Sequence, residues 1–320
     1  MAEEFASDPA QPSTPAGADE GGAFLSSPGL MRPLSRLAAL GVLLALLLYY
    51  PVGAWRADVI DDDLAFTAAA QPAQSRALAV AAALLHREVD QHGWIPSQPF
   101  FMPSALLSAM PNYQLGMAAA IARFTTAFHD HAAAFGGADA DLTRAVALIH
   151  YPPDLWMIDP AAPWGTVPSS DKQFRNAAWE LEAYNRSLAT GATRYGRGPE
   201  TLRALVRSIA WELDSAAALL DEGGQGHPAR AFWQAKGRAY ADYLLLVSLG
   251  RDYDALLRQR GLEGRWRDMT ASLAAAARLH PLLVLSGSED GLLLPNHPAA
   301  LGFHLLRAES RLGDLAGALS

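Results

Sequence analysis

From Leu37 to Trp55 the chain reads LAALGVLLALLLYYPVGAW, nineteen residues without one charge. As an α-helix such a run covers about 28 Å, close to the hydrocarbon thickness of a bilayer. Beyond it the apolar positions recur at helical spacing almost throughout. The clearest stripe is Leu202, Leu205, Val206, Ile209, Leu213, Ala216, Ala217 and Leu220, the i, i+3, i+4, i+7 pattern of one buried helix face. Pro199 precedes this stripe and Gly223-Gly224 follows it, as helix starts and stops require. Further helices are expected near 73–92, 112–135, 140–150, 171–190, 229–249, 252–260, 263–280 and 298–318. The run Tyr243 to Val247 is apolar on every side and predicts a helix at the centre of the bundle. No segment alternates with period two between turn signals, so a β-sheet is not expected. The pattern predicts an all-α protein: a bundle of about eight helices preceded by one N-terminal transmembrane helix.

The flanks of the apolar run give it a direction. Arg32 and Arg36 precede it, Asp58, Asp61, Asp62 and Asp63 follow it, and Tyr49, Tyr50 and Trp55 form an aromatic belt at its far end. Counting arginines, with Arg56 alone on the far side, places the N-terminus in the cytoplasm. The expected organisation is a disordered cytoplasmic tail (1–36), a membrane span (37–55) and an exported helical domain (56–320), anchored in a bacterial inner membrane and facing the periplasm. Two alternatives stay open. Val52-Gly53-Ala54 would suit signal peptidase cleavage after Ala54, with Pro51 breaking the helix before it. The run could also be the core helix of a soluble protein.

Composition narrows the function classes. The 320 residues carry a net charge of −8, which argues against nucleic acid as a partner. Cysteine is absent, which removes disulfides, thiolate metal sites and cysteine nucleophiles. No phosphate-binding loop or dinucleotide fingerprint is present, so no cofactor is expected.

Several blocks carry a resemblance: Tyr50-Pro51-Val52-Gly53, Ile60-Asp61-Asp62-Asp63, Arg87 to Trp94, Met110 to Gln114, Lys236 to Tyr240 and Asp290 to Pro295. Over roughly residues 45–318 the chain resembles a family of uncharacterised bacterial proteins, a domain of unknown function with a single N-terminal membrane segment. The resemblance implies the envelope of a Gram-negative bacterium and transfers no catalytic residue.

The polar clusters each have a plain reading. His86, Glu88, Asp90 and His92 form two i, i+4 pairs on nearly opposite helix faces, so no metal site is expected of them. Both pairs are expected in solvent. Asp61-Asp62-Asp63 lacks the glycine and closing glutamate of a calcium loop and reads as a charged spacer behind the span. Glu180/Glu182 and Glu212/Asp214 are i, i+2 pairs whose members should diverge. A pentapeptide, Ala178 to Glu182, returns in similar form at Ala210 to Asp214, but a solenoid needs a third copy.

The loops are the better candidates. Residues 151–170 hold five prolines and two tryptophans, and residues 93–103 hold Trp94, Phe100 and Phe101 among three prolines. Long loops rich in aromatics are uncommon in a compact domain unless they pack as a lid or bind something. Trp94, Phe101, Asp154, Trp156, Asp159 and Trp164 are therefore the candidate contacts for an envelope protein or glycan. The expected function is a membrane-anchored binding domain. The competing expectation is a hydrolase of peptidoglycan or another envelope polymer, with Asp154, Asp159, Glu289 and Asp290 as its available acids.

Overall fold

The computed structural model describes residues 28–136, 139–159, 162–223, 226–281, 284 and 297–320. Among these the fold is a helical bundle, as the periodicity predicts. Helix α1 (Pro28–Ala57) is followed by an irregular strap and then α2 (Arg76–His86), α3 (Ala109–Gly136), α4 (Ala140–Ile149), α5 (Ser170–Thr190), α6 (Pro199–Gly223), α7 (Pro228–Asp252), α8 (Asp254–Gln259), α9 (Glu263–Ala277) and α10 (His297–Ala318).

The window Arg36–Ala57 of α1 has a mean hydropathy of 2.1, is long and apolar enough to cross a membrane, and is 0% buried. That exposure separates it from a core helix. The helix begins earlier than the apolar run, at Pro28, so Arg32 and Arg36 lie within it, and it continues through Pro51 without a break. The chain divides into two compact units at Leu47/Leu48, inside α1. The last turns of α1 thus belong with the bundle. The expected disordered stretch up to Ser27 lies outside the described residues.

Helix α7 is the axis of the bundle. It packs on α3, α6, α9 and α2 and buries Leu244, Leu245, Leu246 and Leu249. At its crossing with α3 the backbones nearly touch. A Cβ on Gly237 would lie 2.1 Å from the Tyr113 carbonyl oxygen, and one on Gly116 would lie 2.0 Å from that of Gln234. Glycine is required at both positions because a methyl group would collide with backbone, which cannot swing aside.

Two local features depart from the expectation. The helix expected over 73–92 ends as α-helix at His86 and runs on as a π-turn over Arg87–Gln91. Ser75 caps its start, accepting from Leu78 N at 3.3 Å. The proline-rich loop contains a small antiparallel pair, Ile158–Asp159 with Ala162–Thr166. Two and five residues are too few to register as an alternating pattern, which is why the periodicity gave no sign of them.

The similar pentapeptides fall in α5 and α6, but these helices have different neighbours. Helix α5 packs on α4 and α2, and α6 on α10, α7 and α3. The likeness marks two outward-facing tryptophans, Trp179 and Trp211, each 53% exposed, and not a stacked repeat.

Candidate functional site

The aromatic loops divide into a packed part and an exposed part. Trp94 is buried; its indole N–H donates to the Pro153 carbonyl at 2.7 Å and its ring meets Phe174 edge-on at 4.6 Å. It therefore ties the two loops together and offers no surface to a partner, which corrects the expectation for this residue. Phe101 is exposed and stacks edge-on against half-buried Trp156 at 5.7 Å. Asp154 is exposed. The side chains of Asp159 and Trp164, and all of Glu289 and Asp290, lie outside the described residues. Of the acids weighed for a hydrolase, then, only Asp154 has a described side chain.

Behind the span, Asp61-Asp62-Asp63 is not a free spacer. The strap runs over a buried polar cluster built by the π-turn, α3 and α7. Arg87, 2% exposed, donates from Nε to Glu88 at 2.9 Å, from Nη1 to the Tyr240 hydroxyl at 2.9 Å and from Nη2 to the Asp61 carbonyl at 3.1 Å. Its Nη1 also pairs with the Asp61 carboxylate at 3.3 Å. Burial opposes the charge on Arg87, but Glu88, Tyr240 and Asp61 outweigh it and hold the guanidinium protonated. The Tyr113 and Tyr240 hydroxyls donate to the Asp61 and Asp63 carbonyls at 3.1 and 2.9 Å. Burial pushes the Tyr240 hydroxyl up to about 12, with Arg87 pulling the other way. Lys236, fully buried, donates to Asp62 at 2.6 Å.

The two histidine pairs also part company here. His86 meets Asp90 at 2.9 Å on the exposed side, as expected. Glu88 and His92 meet at 3.3 Å on the inner side, where Glu88 is buried and also accepts from Gln114 at 3.2 Å. The expectation that both pairs are solvated is thus corrected. The reason is tertiary, because Arg87 and Gln114 of α3 both donate to the Glu88 carboxylate and hold it on the inner side. Among the described residues no three of His, Asp and Glu converge as metal ligands.

The cluster is a clamp. Its donors and acceptors are spent on one another and on the strap backbone, which fixes the bundle to the end of α1. Its parts come from separate stretches of the chain, the strap, Arg87 and Glu88, Tyr113 and Gln114, and Lys236 and Tyr240.

A second arrangement faces outward, between α3 and α6. A cleft of about 460 Å³ is lined by Arg123, Thr126, His131, Arg207, Ser208 and Trp211, among others. The Arg123 guanidinium stacks over the Trp211 ring at 4.0 Å, a cation–π contact. Beneath Trp211 the helix turns its next residue inward. Glu212 is buried and pairs with Arg238 at 3.1 Å, and Asp214 points out, the divergence expected of an i, i+2 pair. Burial raises the Glu212 carboxyl, while Arg238 and Arg123 pull it down. Asp242 of α7 lies deeper, fully buried with neither carboxylate oxygen hydrogen-bonded. Burial, reinforced by Glu212, raises it well above the ordinary carboxylate range. Neither acid lines the cleft. The tertiary pairing of Glu212, Arg238 and Asp242 left no trace in local sequence pattern.

Compared with protein-family models, with curated proteins and with solved structures, the chain matches none of them.

Proposed function

We propose that this chain is a single-pass inner-membrane protein whose helical domain faces the periplasm and binds an envelope protein at the α3–α6 cleft. The observation that carries this reading is the Arg123–Trp211 pair. Tryptophan and arginine dominate the energetics of protein interfaces because each offers a large, stiff contact area with a polar handle. Here the two are stacked in advance, so little freedom is lost when a partner covers them. The clamp supports the same reading. It joins the strap that leaves α1 to the bundle, which suits a partner held in or against the same membrane. The direction of the charges around α1 favours the periplasmic orientation.

The test is a gentle-detergent purification of the tagged chain from its own membranes, with co-eluting proteins quantified by mass spectrometry. The expected result is one protein in near-equal molar amount, reduced at least about tenfold by Trp211→Ala, the loss of a hot-spot side chain. Recovery of the chain alone refutes partner binding, and full recovery with Trp211→Ala moves the site elsewhere. Orientation is read separately. The chain has no cysteine, so Ser13→Cys and Ser320→Cys each give a single target for a membrane-impermeant maleimide. Labelling of Ser320→Cys alone in cells with a permeabilised outer membrane is expected; labelling of Ser13→Cys alone reverses the topology.

A further inference from the structure

The clamp leaves one apolar surface beside the end of α1 that the partner cleft does not use. The Pro103 ring sits directly on the backbone of Gly53, where a Cβ would lie 2.5 Å from its Cγ. Gly53 is in the last turns of α1, next to Tyr49, Tyr50 and Trp55. The loop that carries Pro103 is therefore level with the aromatic belt. Around that contact stand Phe100, 86% exposed, Leu106, 70% exposed, and the exposed Phe101, Met157 and Ile158. Phe100, Phe101 and Trp156 form a chain of edge-on rings, with centroids 5.7 Å apart at both steps. From Gly93 to Ala122 the sequence has no charged residue and no histidine.

We propose that this surface, the loop over Pro99–Leu106 with Trp156, Met157 and Ile158, rests in the lipid of the membrane leaflet where α1 ends. The inference depends on reading α1 as a span, and its occupant is the bilayer interface and not a protein. Three observations favour lipid. The first is height, since contact with Gly53 leaves no room for a partner between loop and helix end. The second is chemistry: a partner site of this size carries a charged or polar rim, whereas this loop offers aromatics and aliphatics without charge, the composition that partitions into the headgroup boundary. The third is orientation. The strap and its buried ion pairs join the bundle to the last turns of α1, against which Pro103 packs, so the loop is held at the level of the aromatic belt.

The experiment uses the full chain in phosphatidylcholine nanodiscs. Single spin labels are placed at Phe100→Cys and Leu106→Cys, with Leu46→Cys inside α1 and Phe303→Cys on the outer face of α10 as references. All four side chains are exposed, so the labels do not disturb packing. Collisional accessibility to oxygen, which concentrates in lipid, is compared with that to a water-soluble nickel chelate. The expected result is an oxygen-to-nickel ratio at positions 100 and 106 several-fold above that at 303, and approaching that at 46. A ratio at 100 and 106 equal to that at 303, with 46 still in lipid, overturns the inference and leaves the span reading standing. Low accessibility to both reagents at 100 and 106 overturns it in favour of a covering protein or second copy. Nickel access at position 46 refutes the span, and the inference falls with it.

Discussion

Lys236, with no exposed surface, donates from Nζ to the Asp62 carboxylate at 2.6 Å, joining α7 at the centre of the bundle to the strap that leaves α1. Burial lowers the affinity of this ammonium for its proton and Asp62 restores part of it. The pair therefore works in one direction. Asp62 keeps nearly a third of its side chain in water and could be hydrated without Lys236, whereas among the described residues Lys236 pairs with no other carboxylate. The strap is held because the bundle needs its charge.

Asp62→Asn is accordingly expected to destabilise the domain by about 3 kcal/mol, the lower end of the range for stranding a buried charge, because Lys236 can shed its proton. Adding Lys236→Met should recover most of that loss by removing the charge. Urea unfolding of the two variants checks this, and a double variant no more stable than Asp62→Asn would mean that the ion pair is not what binds the strap.

The α3–α7 crossing gives a sharper contrast between two glycines. Gly237→Ala places a methyl 2.1 Å from the Tyr113 carbonyl oxygen. It is expected to cost about 3 kcal/mol or more, since backbone cannot yield as a side chain would. Gly313, on α10 with open space around it, should behave oppositely. Gly313→Ala is expected to stabilise by roughly 0.5–1 kcal/mol through helix propensity and a less flexible unfolded chain. Thermal unfolding of both variants checks the pair, and equal effects would contradict the close approach at Gly237.

Much of the bundle was legible because helical burial writes itself into sequence at short range. The stripe from Leu202 to Leu220 lies buried, and the run from Tyr243 to Val247 sits in the central helix. What was not legible depends on distance along the chain. Asp61 and Asp62 look like a solvated spacer until Arg87, 26 residues on, and Lys236, 174 residues on, are placed beneath them. Trp94 and Phe101 read alike in sequence, seven residues apart in the same loop. Only tertiary packing decides that one points into Phe174 and the other outward onto Trp156. Likewise Trp211 looked like an ordinary helix residue, because its partner Arg123 comes from another helix.

That difference between Trp94 and Phe101 is measurable. Trp94→Ala removes a buried ring and leaves the Pro153 carbonyl unpaired, so it is expected to cost about 3–5 kcal/mol. Phe101→Ala removes a ring already half in water and should cost under about 1 kcal/mol. Denaturant midpoints of the two variants decide it. Similar losses would show that the exposed ring is also structural.

The buried acids under Trp211 set a dependence on pH whose sign follows from their surroundings. Asp242 and Glu212 are both raised by burial, so the folded chain keeps protons that the unfolded chain releases above about pH 4. Where the unfolded state binds fewer protons, stability falls as pH rises. The stabilising contribution of these carboxyls is thus fully present below the ordinary carboxylate range and is lost as pH climbs toward their raised values. Asp242→Asn keeps the shape and removes the ionisation of the deeper acid. The melting temperature of the variant, taken relative to wild type, should therefore rise steadily from pH 4 to pH 8. Glu212 remains in the variant, so some decline of its own stability with pH persists. Parallel melting curves for the two proteins across that interval would mean that Asp242 is ionised in the fold, held by Arg238 after all.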